Sequence, residues 1–249
     1  MASISLKFFS KTLKECSSME LVTPIENIGG KEKLPILWLL PPFGKNQRAW
    51  LRSGMVEDII KKYKVMAAMP DIRLSFGIDM IHGEAYSRLL TEELPKLLGD
   101  MFQGDTSSNL IFGVEEGGYG ALYTALKHPE HYLAAASASC GSLTDEKLEG
   151  RKLVLALRAF GDKTENLKDT QYDIVSCLKE EDRRKLFLYY GREDAYAASA
   201  SVLGGYLPEE NVVIRENRMG WKEWNEALAS FLGKACDAGR LSPLERKIR

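Results

Sequence analysis

The chain has 249 residues, 45% of them hydrophobic, so it can bury one large core or two small ones, and we expect a single domain over residues 1–249. Its 34 basic and 35 acidic residues leave a net charge of -1, which argues against a nucleic-acid or membrane-surface partner and favours a small ligand. No run of residues approaches the roughly 20 apolar positions that cross a bilayer, and the N-terminus lacks the apolar core of a signal peptide. We therefore predict a cytoplasmic protein without a cofactor.

The cysteine usage also fits a reducing compartment. The sequence contains four cysteines with wide spacing and no CxxC pair: Cys16, Cys140, Cys177 and Cys236. Such spacing is typical of reduced thiols and unlike a disulfide framework or a zinc site.

The predicted elements begin with two strands, "ISLKFFS" and "SMELVTPI", which alternate or cluster apolar residues on either side of a polar turn. This pattern predicts an antiparallel pair at one edge of a sheet. Six short apolar runs follow, as expected for parallel strands covered on both faces: 35–40, 64–69, 109–114, 133–139, 185–190 and 211–216. Helical patterns lie between them at 86–98, closed by Gly99, and at 117–127 and 221–235.

This alternation of strands and helices predicts an α/β fold with one doubly wound, mostly parallel sheet and right-handed crossovers. Residues 142–184 are charged and only weakly periodic, so we predict a cap-like excursion over the carboxyl edge of the sheet. Ligands of open α/β sheets bind at that edge. Residues 239–249 are predicted to form a C-terminal tail.

The stretch "NLIFGVEEGGYG", residues 109–120, has the pattern of a nucleophile elbow without a nucleophile. A strand that turns sharply into a helix needs small residues around the apex, and Gly113, Gly117 and Gly118 meet that need. The apex carries Glu115 in place of a serine, cysteine or aspartate. The alternative interpretation is an ordinary glycine-rich turn between a strand and a helix.

Nearly the whole chain resembles a known family. The segments that carry the likeness are "SLKFFSKTLK", "PILWLLPPFGKNQRAW", "EELPKLL", "GGYGALYTAL", "YYGREDAY" and "GWKEWNEALASFL". They are similar to the putative-esterase family of α/β hydrolases, which includes tributyrin esterase, esterase D and S-formylglutathione hydrolase, and most of all to its small bacterial tributyrin esterases. The resemblance implies an α/β-hydrolase fold and, on the analogy of family members, a homo-oligomer.

The resemblance also implies where the catalytic residues should lie. The family's serine falls on Glu115, its acid on Asp194 and its histidine on Met219. The His-Gly pair that shapes the family's oxyanion pocket falls on Pro41 and Pro42. The differences from the family are thus concentrated where the chemistry takes place.

These substitutions predict a loss of esterase activity. Methionine at position 219 cannot take a proton from a hydroxyl and return it as imidazole does. Losing either the serine or the histidine of such a triad costs about a million-fold in turnover. Pro42 has no backbone N–H, and one missing oxyanion donor costs about a hundred- to thousand-fold. Gly113 and Gly117 indicate that Glu115 nevertheless keeps the strained, positive-φ backbone of a nucleophile.

Three rearranged chemistries are alternatives. Glu115 could act as a nucleophile with His82 as the base, or Cys140, at the end of a central strand, could replace the serine. Glu115, Glu116 and Asp194 could instead converge as oxygen ligands of a divalent cation, although their separation in sequence gives no spacing signal. A surface loop is the ordinary place for His82, and a buried core the ordinary place for Cys140.

Two tryptophans, Trp50 and Trp221, lie on segments that rim the family's pocket, so we expect them to contact a ligand together with Pro41, Pro42, Glu116 and Cys140. The leading hypothesis is a non-catalytic member of the esterase family that binds a small molecule, an ester-like compound or a partner. The alternative is an active carboxylesterase-like hydrolase with rearranged catalytic residues.

Overall fold

The fold was analysed in a computed structural model, which describes residues 1–24, 33–143, 148–161, 167–180 and 182–243. It contains an eight-stranded sheet with the order β1-β2-β4-β3-β5-β6-β7-β8. The strands are β1 Ala2–Ser10, β2 Glu15–Thr23, β3 Leu34–Leu40, β4 Met66–Pro70, β5 Gly104–Val114, β6 Tyr132–Ala138, β7 Leu186–Gly191 and β8 Val212–Arg215. The pairs β1/β2 and β2/β4 are antiparallel and the other neighbours are parallel, so the predicted antiparallel edge pair on a mostly parallel sheet is confirmed.

Nine α-helical segments lie around the described part of this sheet. They are α1 Ala49–Arg52, α2 Val56–Ile60, α3 Tyr86–Arg88, α4 Leu94–Phe102, α5 Glu116–Lys127, α6 Gly150–Phe160, α7 Ile174–Cys177, α8 Ala197–Gly204 and α9 Trp221–Asp237. A π-helical turn, Leu89–Glu93, joins α3 to α4. None of the helices in the described ranges is long and apolar enough to span a bilayer.

Each face of the sheet has its own core because the central strands are buried on both sides. On one face, Trp38 and Leu40 of β3 pack in a cluster with Tyr119 of α5 and Phe160 of α6. On the other face, Leu37 and Leu39 of β3 pack with residues of α1, α2 and α9, namely Trp50, Ile60, Leu228 and Phe231. Two-sided burial explains the continuous apolar runs in the sequence.

The prediction that Gly99 ends a helix is wrong. The helix α4 continues to Phe102 and ends at Gln103, which adopts the left-handed conformation with φ 59°. A Cβ atom on Gly99 would lie 3.2 Å from Cγ2 of Thr106, so this glycine permits close packing between α4 and β5. Packing, and not termination, is the local role of Gly99.

Part of the segment 142–184 is helical. Its described residues include α6, whose buried side chains Leu155, Ala156, Ala159 and Phe160 join the core, and the short helix α7. Residues 144–147, 162–166 and 181 of this segment, and residues 244–249 of the predicted tail, lie outside the described ranges. The weak periodicity of the sequence did not reveal α6.

Candidate functional site

The site is built at the carboxyl ends of the central strands, where β5 turns into α5. Glu115 occupies the turn with φ 49° and ψ -127°. Its backbone N–H donates to the carbonyl of Ala138 at the end of β6, at 2.9 Å, and its own carbonyl accepts from the N–H groups of Gly118 and Tyr119. A non-glycine residue in such a conformation stores about 1–3 kcal/mol, so the surrounding bonds must hold it there.

Close packing around the turn explains why the surroundings enforce this strain. A Cβ atom on Gly113 would lie 2.0 Å from the carbonyl oxygen of Gly117, and a Cβ atom on Gly117 would lie 2.4 Å from the carbonyl oxygen of Pro41. Both distances are far inside van der Waals contact. The backbone of α5 therefore approaches both β5 and the loop after β3 as only glycine allows.

The side chain of Glu115 is bonded to the loop that follows β3. Its Oε2 atom accepts the backbone N–H of Phe43 at 3.2 Å. In α/β hydrolases an N–H group from this loop, together with the N–H that follows the nucleophile, forms the oxyanion hole. The absence of an N–H on Pro42 predicted a poor oxyanion pocket, but the next residue supplies a donor, and the carboxylate of Glu115 takes it.

The environment of Glu115 disfavours the charged form of its carboxyl group relative to water. Burial raises the pKa of the Glu115 carboxyl, and the nearby charge of Glu116 raises it further. Lys152, the N–H of Phe43 and Arg218 act in the opposite direction without cancelling the shift. The N–H of Phe43 occupies a lone pair of the carboxylate that a nucleophilic attack would use.

The two other triad positions, Asp194 and Met219, lie together. One carboxylate oxygen of Asp194 accepts the N–H of Met219 at 2.8 Å, and the other accepts the N–H of Gly191 at 2.8 Å. Both residues are buried. Asp194 thus ties the end of β7 to the loop before α9, and Met219 presents no group that can transfer a proton. Arg218, on the same loop, is near enough for its charge to act on Glu115.

A charged cluster that the sequence did not predict lies beside the elbow. The ammonium of Lys152, on α6, is 2.9 Å from Oε1 of Glu116 and donates to the hydroxyl of Tyr196 at 2.7 Å. The hydroxyl of Tyr196 donates in turn to Oε1 of Glu116. Burial, followed by the charge of Glu116, raises the pKa of Tyr196, which keeps it protonated and able to donate.

The aromatic and proline positions contribute mainly packing. Trp50 has no exposed surface, donates its indole N–H to the carbonyl of Leu40 at 3.1 Å, and contacts the ring of Trp221 edge to face. Trp221 is partly exposed. Pro41 and Pro42 are buried and, with Phe43 and Glu116, line a cavity of about 10 Å³, which is room for about one water molecule. Ligand contact by Trp50 would require its neighbours to move.

The two residues of the alternative chemistries, His82 and Cys140, have different surroundings: Cys140 packs beside Gly118 of the elbow, and His82 lies on a loop. His82 is exposed, and its backbone N–H bonds to the carbonyl of Arg158 near the C-terminal end of α6. Cys140 is fully buried, and its Sγ atom makes a weak 3.8 Å contact with the carbonyl of Gly141. Within the described ranges, no group of three or more His, Cys, Asp or Glu residues is arranged to hold a metal ion.

The chain has an α/β-hydrolase fold with an altered elbow, and comparison with known proteins gives the family. The model of the family described as "Putative esterase" matches residues 81–230. The chain belongs to this putative-esterase family.

Individual proteins show how far the similarity extends. An acetyl esterase of Caldicellulosiruptor saccharolyticus is 26% identical over 92% of this chain and 96% of its own length. A fluorophosphonate-binding serine hydrolase of Staphylococcus aureus superposes with a TM-score of 0.76 at 18% identity, covering 94% of this chain and 98% of that one. An S-formylglutathione hydrolase of Agrobacterium tumefaciens superposes with a TM-score of 0.72 at 20% identity, covering 96% and 95%.

Proposed function

We propose that this chain is a member of the esterase family that has lost serine-type carboxylester hydrolysis and acts by binding a small molecule or a partner. The observation that carries the proposal is the hydrogen bond between Glu115 and the N–H of Phe43. The elbow and its donor are retained, but the side chain at the apex is a carboxylate that takes the donor itself. On the same proposal, the unbridged cysteines fit a cytoplasmic place of action.

The chemistry of the triad positions supports the loss of hydrolysis. A serine hydrolase needs an imidazole to accept the hydroxyl proton and to protonate the leaving group, and Met219 can do neither. Asp194 holds two backbone N–H groups and has no imidazole to orient. Loss of the serine or the histidine alone lowers turnover by about a million-fold, so the remaining groups should not support detectable ester hydrolysis.

The alternative, an active hydrolase with rearranged residues, has less support. Lys152 of α6 reaches the site. His82 bonds instead to the backbone of Arg158, which lies six residues after Lys152 on the same helix. Six residues of helix correspond to about 9 Å. Cys140 is fully buried, so a substrate could reach its thiol only if the surrounding core moved.

An esterase assay of the unmodified protein tests the proposal. The acetyl esterase relative suggests p-nitrophenyl acetate as one substrate, and p-nitrophenyl butyrate suits the tributyrin esterase likeness. We expect no hydrolysis above that of bovine serum albumin at equal concentration, and no labelling by a fluorophosphonate probe. Clear turnover that Glu115→Gln abolishes would overturn the proposal, because it would make Glu115 catalytic.

A further inference from the structure

The ammonium group of Lys152 lies in a cage built from three other residues. Its Nζ atom is 2.9 Å from a carboxylate oxygen of Glu116 and 2.7 Å from the hydroxyl oxygen of Tyr196. The same atom lies 4.3 Å from the centroid of the Tyr196 ring and 5.2 Å from that of the Phe43 ring. A carboxylate, the hydroxyl edge of Tyr196 and the Phe43 ring thus surround one cation.

Each part of this cage is suited to an ammonium ion. Aromatic faces attract a cation within about 6 Å through their quadrupole, and a carboxylate adds a charge-assisted hydrogen bond. The Glu116 side chain is 94% buried, since its relative exposure is 6%, so its negative charge requires a positive partner. The Lys152 side chain keeps 32% of its exposure, so part of it borders solvent.

The carboxylate also has capacity beyond its bond to Lys152. The Oε2 atom of Glu116 is buried and has no hydrogen-bond partner among the residues that the structure describes. An unsatisfied buried carboxylate oxygen is unusual and calls for a missing donor. A free ammonium ion, which is not held by the lysine stem, could sit between the two carboxylate oxygens and supply that donor.

We propose that Glu116, Tyr196 and Phe43 form a recognition site for a primary ammonium group, and that Lys152 is its internal occupant. The proposal deepens the proposed function and rests on it, since it names the class of small molecule: an organic cation with a primary amine. The cage adjoins the elbow because Phe43 also donates to Glu115 and because the charge of Lys152 acts on the Glu115 carboxyl. An amine in the cage would place the rest of its molecule beside the altered apex.

Competition with the tethered lysine sets the expected affinities. A tethered group acts at an effective concentration of roughly millimolar, so a free amine must displace it before it can bind. Removal of the lysine side chain should therefore strengthen the binding of a free amine, by a factor set by the ratio of that effective concentration to the intrinsic dissociation constant of the ammonium group. This difference between the unmodified protein and the variant identifies the cage as the binding site.

The test uses Lys152→Ala and methylammonium chloride as the probe. Thermal unfolding is followed at mildly alkaline pH against sodium chloride of equal ionic strength. Above the dissociation constant, each tenfold increase in methylammonium should raise the unfolding midpoint of the variant by about 3–5 °C, and the unmodified protein should respond only at higher concentration. Lys152→Met, which keeps the apolar stem, replaces the alanine variant if that variant does not fold.

Two controls decide the outcome. Lys152→Ala combined with Glu116→Gln should lose the response, and tetramethylammonium, which has no N–H, should bind more weakly than methylammonium. The proposal is overturned by a Lys152→Ala response that is absent, that sodium reproduces, or that survives Glu116→Gln. These readouts need no enzymatic activity, so turnover in the ester assay would remove the proposed function and leave the cage result to be judged separately.

Discussion

Replacing Glu115 with serine should not by itself restore an esterase. The new hydroxyl would occupy the strained turn at φ 49° and would leave the N–H of Phe43 free to meet a substrate oxygen. It would still lack a base, because Met219 has no nitrogen that can accept a proton. The backbone N–H of Met219 donates to the carboxylate of Asp194 at 2.8 Å, so the acid already lies beside position 219.

The expected activity of each variant depends on which catalytic groups it contains. Without a base, Glu115→Ser should stay about a million-fold below an intact serine hydrolase. Adding Met219→His restores a base that is worth about 10²–10⁴ in rate, and the Asp194 carboxylate has lone pairs left to orient it. Adding Pro41→His and Pro42→Gly reshapes the loop, but because Phe43 already offers one donor, the gain should be smaller than the hundred- to thousand-fold of a whole donor.

The assay compares Glu115→Ser, Met219→His, the double variant and the fourfold variant on p-nitrophenyl butyrate, with labelling by a fluorophosphonate as a second readout. The single variants should match the albumin blank, and turnover should appear only when serine and histidine are present together. Turnover by Glu115→Ser alone would refute the reasoning, since another group would then be acting as the base. Correct folding of each variant is checked by its thermal unfolding midpoint.

Three further predictions concern stability and assembly. Glu115→Gln keeps an oxygen for the N–H of Phe43 but removes the negative charge. Folding raises the pKa of the Glu115 carboxyl. The unmodified protein therefore loses stability as the pH rises from the unfolded-state pKa through the folded-state pKa, by about 1.4 kcal/mol for each unit of difference between the two pKa values. The variant should therefore be more stable than the unmodified protein at neutral pH and should lose this advantage in acid. Urea unfolding at both pH values measures the difference in unfolding free energy, and the same difference at neutral and acidic pH would contradict the prediction. Gly113→Ala should lower the free energy of unfolding by about 3 kcal/mol or more, because the new Cβ atom would lie 2.0 Å from a carbonyl oxygen. The control, Gly233→Ala within α9, should raise it by about 0.5–1 kcal/mol, because the nearest atom to the new Cβ is 3.9 Å away. Equal effects of the two substitutions in denaturant titrations would contradict the packing described. Light scattering after size exclusion should give a multiple of 27.9 kDa, and a monomer mass would remove the expected homo-oligomer.

The fold and the elbow could be predicted because their signals are local in sequence. The apolar runs, the glycines at 113 and 117, and the strand-to-helix order all lie within short windows and reflect steric needs that neighbouring residues share. The positive φ of Glu115 follows from the same glycines. The end of α4 was missed because a glycine there serves packing against β5, which a single sequence does not distinguish from a helix stop.

The charged cluster could not be predicted because it depends on how distant elements are brought together. Glu116 and Tyr196 are 80 residues apart, and Lys152 comes from a helix in a segment with weak periodicity. Their contact is fixed by the placement of α6 over the carboxyl edge of the sheet. The bond between Phe43 and Glu115, across 72 residues, has the same origin, and only the presence of Pro42 was visible in the sequence.

The strained turn at Glu115 has a consequence for protein engineering. Its backbone geometry is imposed by Gly113, Gly117 and the carbonyl of Pro41, none of which depends on the side chain at the apex. A different residue at this position should therefore be delivered along the same direction, toward the N–H of Phe43. Position 115 is accordingly suited to the introduction of synthetic amino acids in a known orientation. Their side chains could carry a thiol, an imidazole or a metal-binding ring.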